Sequence, residues 1–583
     1  MVKENTMERH SPLCFGYERL AAWSGLLDQI NVFPVADADT GRNLKISLSP
    51  LRWPFEDAEV SVRGLMRAAI GNSGNIAAPF FAELLKAEIT GGLGAAIHRG
   101  RQKAKQAISD PQPGTMLSVF DALAGMVPPD NGWEATAENA ASVIHCMEKA
   151  VADTADILPA VKRAGVIDAG ALGVFICLEA FFARLSGRSE ALRPVTDIFP
   201  GKLKIAAEWP GRIELGNGYC VNTLIEADIS VDEARHRFSS CGHSMVLNES
   251  AGRLKLHLHT EDTARLRKRA DVLGRVLAWS EESMDAAVPE IQQFSPSAPV
   301  HIITDAAGSI TQADAAALGI TLLNSYLVMG DRAFPETLFD PDELYAAMAQ
   351  GQQVSTAQAS IFEREQSYLS AVRRFDSVLY LCVGSAFTGN CQAALTWQAR
   401  HERADGFTVI DTGAASGRLG IIAQAVARLA RGGADARRVI DFAHAAVEES
   451  CELVFLDQLK FLAAGGRISK TRGFCGDLLS LKPVISPTRE GAVKVAVVRH
   501  RKDQLAFALT RLRQRFNSKS APLVLLQYSD NRFWVENAAA AQIQTLLPAA
   551  EIMVRPLSLT SGAHMGPGTW AMAYLPAIPT SAV

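Results

Sequence analysis

Two interruptions constrain the folding of this chain more than any other feature. At Leu192–Gly201 (LRPVTDIFPG), two prolines and a glycine break a long Ala-rich, helix-forming region. At Gln292–Val300 (QQFSPSAPV), Pro296, Pro299 and two serines form a linker-like stretch. The hydrophobic pattern changes across both. Before the first break, Tyr17–Ile30, Val60–Ala69, Ile76–Lys86 and Ala137–Ala164 carry apolar residues at helical spacing. Between the breaks, short alternating runs such as Arg253–His259 (RLKLHLH) suit strands. After the second, strand-like runs at Val300–Thr304, Val378–Val383 and Thr408–Asp411 alternate with helical patterns, which predicts an α/β region with parallel strands. A chain of 583 residues exceeds what one core supports. The expected organisation is therefore multidomain: all-α over 1–195, α+β over 200–292 and α/β over 299–583.

Composition excludes several classes of function. With 48% hydrophobic residues the chain has ample material for cores, and a net charge of −4 argues against a nucleic-acid partner. Met1–Phe15 lacks the apolar core of a signal peptide. The richest apolar stretch, Leu419–Ala430, is broken by Gln424 and Arg428, so it reads as a buried helix and not as a transmembrane segment. Nine scattered cysteines, an odd number, fit reduced thiols better than a disulfide framework. A cytoplasmic protein is expected.

The first chemical site lies in Ile30–Asn43, INVFPVADADTGRN. Asp37 and Asp39, two apart in a turn closed by Gly41, repel each other unless a cation lies between them, and hard oxygen ligands suit Mg2+. Taken alone, a solvated Asp-rich turn is an equal reading. Ala68–Ile76 (AAIGNSGNI) sets a Gly-flanked Ser73 just ahead of a helical pattern, where backbone amides form a phosphate cradle. Pro113–Met116 (PGTM) and Asp168–Gly173 (DAGALG) are further small-residue turns.

Together and in this order, these motifs resemble the nucleotide-binding domain of the dihydroxyacetone-kinase family, and more closely the ATP-binding component of bacterial fatty-acid kinase. The resemblance covers roughly residues 10–190. It implies a helical barrel that binds ATP, with Asp37 and Asp39 as catalytic magnesium ligands and Asn31 beside them. By the same match Asn43, Ser73, Gly74, Thr115, Asp168 and Gly170 would meet the nucleotide. Ala36 and Ala38 stand where the family has proline and glycine. If position 38 needs positive φ, alanine costs about 1 kcal/mol there.

In the middle segment, His257-Leu258-His259 places two imidazoles on one face of a strand, and Cys220 in LGNGYC is a candidate third ligand for zinc. From spacing alone, a strand that happens to display two histidines is the commoner case. The ATP-binding component of fatty-acid kinase carries similar GYC and HVHT motifs linked to a metal. That resemblance implies Cys220, His257 and His259 as Zn2+ ligands.

The last segment holds VHIITDAAGSI (300–310), STAQAS (355–360), GSAFTGN (384–390), LKFLAAGGRIS (459–469) and SGAHMGPG (561–568). Small hydroxyl residues at the ends of parallel strands are where α/β sheets bind ligands, and Arg467 and His564 would attract an anion. Read without a family, Gly465 and Gly466 simply end a helix and Arg467 is an exposed charge. The motif set resembles the DegV family of fatty-acid-binding proteins over about 299–578. The resemblance implies a region of two subdomains, with Thr356, Thr388, Gly389, Arg467 and His564 around a lipid carboxyl group. Ala357, Ala359 and Thr388 depart from the family pattern.

The two resemblances together imply a fatty-acid kinase that passes the ATP γ-phosphoryl group to a bound carboxylate. The alternatives are a kinase for a small hydroxylated substrate and a non-catalytic lipid-binding regulator. A downstream acyltransferase or acyl-carrier acceptor, transient membrane contact and a homodimer complete the expectation.

Overall fold

The computed structural model describes residues 11–33, 38–52, 58–130, 132–206, 218–250, 252–283, 298–330, 332–401, 405–464 and 481–578. The chain divides into two compact units, Met1–Phe294 and Ser295–Val583.

The first unit opens with helices α1 (Pro12–Gln29), α2 (Thr40–Ser47), α3 (Ala58–Ala68), α4 (Gly71–Thr90), α5 (Leu93–Ala107), α6 (Met116–Met126), α7 (Ala137–Ile157), α8 (Pro159–Ala164) and α9 (Ala169–Leu185). Side-chain oxygens cap four of them, from Ser11, Thr115, Thr136 and Asp168. The central helix is α9, buried from Ala169 to Ala183 and packed on α1, α2, α6 and α7. Its approach to α2 is close: a Cβ on Gly173 would lie 2.4 Å from Leu44 Cδ1. Two buried ion pairs, Arg19–Glu179 at 2.9 Å and Arg52–Glu18 at 3.1 Å, tie α1 to its neighbours.

Helical spacing runs unbroken through Ala137–Ala164, yet the structure breaks at Leu158 (ψ 126°), because the residue before Pro159 is driven out of the helical region. The GNSG segment also differs from expectation. It forms the first turn of α4 and does not precede it. The break at Leu192–Gly201 folds back onto the helices: Arg193 donates to Glu148 at 2.5 Å, and Val195, Ile198 and Phe199 are buried.

After the helices come β1 (Tyr219–Glu226), α10 (Val231–Phe238), β2 (His243–Ser250), β3 (Arg253–Thr260), α11 (Thr263–Leu273) and β4 (Arg275–Ser283). The antiparallel order β2-β3-β1-β4 is that of a split βαβ fold. Val221, Ile225, Leu254, Leu256 and Leu258 pack on one face with Ala234 and Phe238 of α10 and Leu266 and Ala270 of α11.

The second unit contains a parallel sheet of β5 (His301–Asp305), β6 (Ile320–Leu323), β10 (Val378–Cys382) and β11 (Phe407–Asp411), in the order β11-β10-β5-β6. A small antiparallel sheet joins β7 (Ser325–Met329), β8 (Arg332–Pro335) and β9 (Val354–Gln358). The third sheet orders β12 (Cys451–Phe455), β13 (Lys482–Thr488), β14 (Gly491–Val498), β15 (Leu523–Tyr528), β16 (Glu551–Pro556) and β17 (Trp570–Leu575) as β14-β13-β12-β17-β15-β16. Only β15 and β16 are parallel in it, so the parallel expectation holds for the first sheet alone. The β13–β14 hairpin turns at Gly491 (φ 108°), and so short a connection permits only antiparallel pairing. Helix Ser416–Arg431 lies between the parallel and mixed sheets, its Leu419, Ile421, Ile422 and Val426 sharing a core with Leu379, Leu381, Leu525 and Ala573. It is the buried helix expected at Leu419–Ala430, and no described helix is long and apolar enough to cross a membrane.

Candidate functional sites

The first site forms where the starts of α2 and α4 meet. A Cβ on Gly41 would lie 1.9 Å from Ser24 O in α1, and one on Gly74 would lie 1.9 Å from Ser47 Oγ in α2, so both glycines are required for these contacts. Gly71 (φ 62°) sits against the Asn43 side chain, and Ser73 Oγ approaches Thr40 O at 3.5 Å. The structure thus brings Asp39, Asn43, Ser73 and Gly74 to one end of the helical domain. Asn31 is buried just beyond α1. Asp37 lies outside the described residues. Ala38 is at φ 55°, the left-handed conformation that glycine adopts without penalty.

One acidic residue of this site was missed in the sequence. Asp28, in the last turn of α1, accepts the N–H groups of Gly41 (2.7 Å) and Arg42 (3.1 Å) and so holds the start of α2. Burial, and then the charge of Asp39, push its carboxyl up to about 7. Its signal was available: an acid near a helix C-terminus opposes the helix dipole and needs another use. Two acidic groups this near one another, at a helix start, present oxygen ligands of the kind Mg2+ takes.

Thr115 and Asp168 are N-caps, of α6 and α9. Thr115 Oγ1 accepts Leu117 N at 3.4 Å, and Asp168 accepts Ala171 N at 2.7 Å while its own N–H meets Thr154 Oγ1 at 2.9 Å. Burial raises the Asp168 carboxyl to about 7. The two caps are neighbours, since a Cβ on Gly170 would lie 3.0 Å from Met116 Cε.

The second site is on the middle sheet. Cys220 pairs with His259 across β1 and β3, and Asn222 pairs with His257. The Cys220, His257 and His259 donor atoms lie within 4.8 Å of one another. His257 Nδ1 is 3.1 Å from Asn222 Oδ1, whereas His257 Nε2 and His259 Nδ1 are buried without a hydrogen-bond partner. Burial holds His257 down at about 3 and His259 at about 4, so both rings are neutral and carry a lone pair. Orphaned imidazole nitrogens beside a thiol fit a zinc ion. On the same face, Lys255 is 8% exposed.

In the second unit, Thr356 Oγ1 and His564 Nε2 are 3.0 Å apart, joining β9 to the helix Leu559–Met565. Gln358, two residues along β9, lies 3.9 Å from where a Gly389 Cβ would be, and Thr388 Oγ1 accepts Asn390 N at 3.3 Å. Thr356, Thr388, Gly389 and His564 therefore share one neighbourhood. Arg467 lies outside the described residues. Beneath this group runs a chain of hydrogen bonds that the sequence did not reveal. Arg364 donates to Gln358 (3.1 Å) and Asn390 (2.8 Å), and Asn390 donates to buried Asp305 (2.8 Å). Asp305 also accepts from Tyr380 and Val383 N, which closes the network. Its side chains lie on five different elements, so no local pattern announces them.

Comparison with known proteins gives three family matches: the DAK2 domain over residues 34–183, the FakA-like middle domain of fatty acid kinase over 216–291 and the DegV family over 299–577. Protein YloV of Bacillus subtilis is 27% identical over 296 residues, 46% of this chain and 53% of YloV. A DegV domain-containing protein of Clostridium perfringens is 27% identical over 289 residues, 47% of this chain and 96% of that protein. The chain thus spans about half the length of YloV. Among solved structures, a fatty-acid-binding DegV family protein from Thermus thermophilus aligns with a TM-score of 0.45 at 23% identity, over 48% of this chain and 100% of that one. DegV of Bacillus subtilis, also a fatty acid binding protein, aligns with a TM-score of 0.44 at 19% identity, over 48% of this chain and 100% of its own.

Proposed function

From the premise that this polypeptide joins a DAK2 domain, a FakA-like middle domain and a DegV region, we propose that it is a fatty-acid kinase. It transfers the ATP γ-phosphoryl group to a fatty-acid carboxylate held by the DegV region, giving acyl phosphate and ADP. The observation that carries the reading is the pairing, on one chain, of an acidic helix-start site at Asp39, Asn43 and Ser73 with the Thr356–His564 pair in a lipid-binding family. Asn31, Asp37 and Asp39 would hold magnesium, which when bound supplies charge neutralisation at the phosphates. The amides at the start of α4 and the Thr115 and Asp168 turns orient the nucleotide. Thr356, Thr388 and His564 fix the carboxylate, with Arg467 supporting that end. A fatty acid has a pKa of roughly 4 to 5 and is ionised at neutral pH, so the acceptor needs no general base. The chain's task is positioning and exclusion of water, because acyl phosphates hydrolyse. An acyltransferase or acyl-carrier acceptor would consume the product, with the reaction running in the cytoplasm and membrane contact transient.

The test is extraction of co-purifying lipid, followed by addition of MgATP and hydroxylamine. A fatty acid and its hydroxamate are expected. ATP turnover that appears only with a small hydroxylated acceptor would favour a dihydroxyacetone-type kinase. Bound lipid with no nucleotide chemistry would favour a regulatory protein.

A further inference from the structure

Strand β3 of the middle sheet is buried on both faces. On β3, Leu254, Leu256 and Leu258 enter the core against α10 and α11, while Lys255, His257 and His259 point the other way and are only 8%, 1% and 4% exposed. What covers this second face is the helical domain. Asn248, the cross-strand partner of Lys255, donates to Asn75 O in α4 at 2.8 Å. Val246, the partner of His257, bridges to Ile108 just beyond α5, and Ser109 donates to Met245 O at 3.4 Å. On the far side, Glu282, the partner of Cys220, meets Arg42 of α2 at 3.7 Å. The sheet therefore sits over the starts of α2 and α4 and the approach to Thr115, the same end that gathers Asp39, Asn43 and Ser73.

Lys255 is out of place there as a structural residue. Among the described residues it makes no hydrogen bond and no ion pair. A second cation, Arg67, stands at the end of α3, four residues ahead of Gly71. The aliphatic stem of Lys255 is buried while its ammonium is not fully enclosed, so the charge looks into the space between β3 and the start of α4 with no counter-ion beside it. Two cations flanking a helix start whose amides point outward are instead the complement of an anion, and lysine serves phosphate as a point charge.

We propose that Lys255 completes the nucleotide site from the middle domain, its ammonium taking a phosphate oxygen of the bound triphosphate at the start of α4. The inference rests on the kinase reading of that end. It gives the middle domain a direct part in nucleotide binding, through the face that also carries the Cys220–His257–His259 cluster.

The experiment compares full-length wild type with Lys255→Met and Lys255→Arg, by equilibrium binding of MgATP and of adenosine and by thermal melting without ligand. Losing one charged hydrogen bond predicts a fall of about 10- to 100-fold in MgATP affinity for Lys255→Met. Adenosine affinity should be unchanged and the unliganded melting temperature equal or higher. Lys255→Arg should keep most of the MgATP affinity. MgATP affinity within twofold of wild type in Lys255→Met overturns the role of Lys255 while leaving the kinase reading intact. Equal losses for adenosine and MgATP, with a lower melting temperature, overturn it in favour of a structural role. Should Lys255→Met not fold, Lys255→Gln is held to the same criteria. Wild type that binds no MgATP overturns the kinase reading and this inference together.

Discussion

Ala38 occupies the left-handed region at φ 55° between the two acidic positions of the first motif. Alanine there costs about 1 kcal/mol relative to glycine. Ala38→Gly is therefore expected to raise stability by up to about 1 kcal/mol. By relaxing the turn, it should also lower the magnesium concentration that supports half-maximal ATP turnover. Magnesium titrations and melting curves of the two proteins check this, and a variant unchanged in both would separate the turn from the metal. Asp168 carries a second residue-scale prediction. Its carboxyl lies at about 7 in the fold against 3.8 for an ordinary aspartate, so its contribution to stability is full below pH 3.8 and is lost as pH rises through about 7. Asp168→Asn keeps an acceptor for the Ala171 N–H but cannot ionise. It should melt higher than wild type at pH 8, with the difference shrinking towards pH 4; a constant difference across that range would contradict the assignment. The left-handed conformation at position 38 was foreshadowed only by the family resemblance, in which glycine stands where this chain has Ala38. Asp28 offered a general signal, an acid at a helix C-terminus, but its partners Gly41 and Arg42 come from the next helix and were not legible.

Helix contacts explain why the motif needs its glycines. Gly41 lets α2 lie against Ser24 O of α1, and Gly74 lets α4 lie against Ser47 of α2. Gly41→Ala would drive a methyl group into a backbone oxygen, with a site 1.9 Å away and no flexible side chain to yield. The expected result is a loss of roughly 1–3 kcal/mol of stability and weaker MgATP binding, since α2 must move. Gly64 in α3 is the control: its nearest neighbour is Pro50 Cβ at 3.7 Å, so Gly64→Ala should be neutral or stabilising by about 1 kcal/mol. Chemical denaturation of both variants decides the matter. Strand β3 makes a parallel case. Its period of two put His257 and His259 on one face in the sequence already, but the pairing of Cys220 with His259 depends on a strand about forty residues away, at a separation no local pattern fixes. Elemental analysis should find about one zinc per chain in wild type and little in His257→Ala, because three protein donors are the fewest that zinc sites ordinarily use.

At the scale of the whole molecule, the order of motifs pointed to the three matched domain families more readily than the elements did. Helical spacing missed the break at Leu158, and strand patterns could not foresee that the last sheet of the second unit would be mixed. Pairing partners such as β12 and β17 are more than a hundred residues apart, and loop closure over that distance leaves no periodic trace. The geometry of transfer is bounded by chain length. The stretch 292–300, fully extended, reaches about 30 Å at roughly 3.4 Å per residue. Glu282, ten residues ahead of that stretch, meets Arg42 at the end of the helical domain that gathers Asp39, Asn43 and Ser73, so chain length permits transfer within one chain as well as between chains. Were the proposed kinase a homodimer, residues 299–583 of one chain could serve the nucleotide site of its partner. On that arrangement we expect an Asp39→Asn chain, defective in phosphoryl transfer, and a His564→Ala chain, defective in carboxylate binding, to regain activity when co-expressed and purified together. Recovery approaching one quarter to one half of wild type would mark transfer between chains, whereas a mixed dimer no more active than either parent would confine transfer to a single chain.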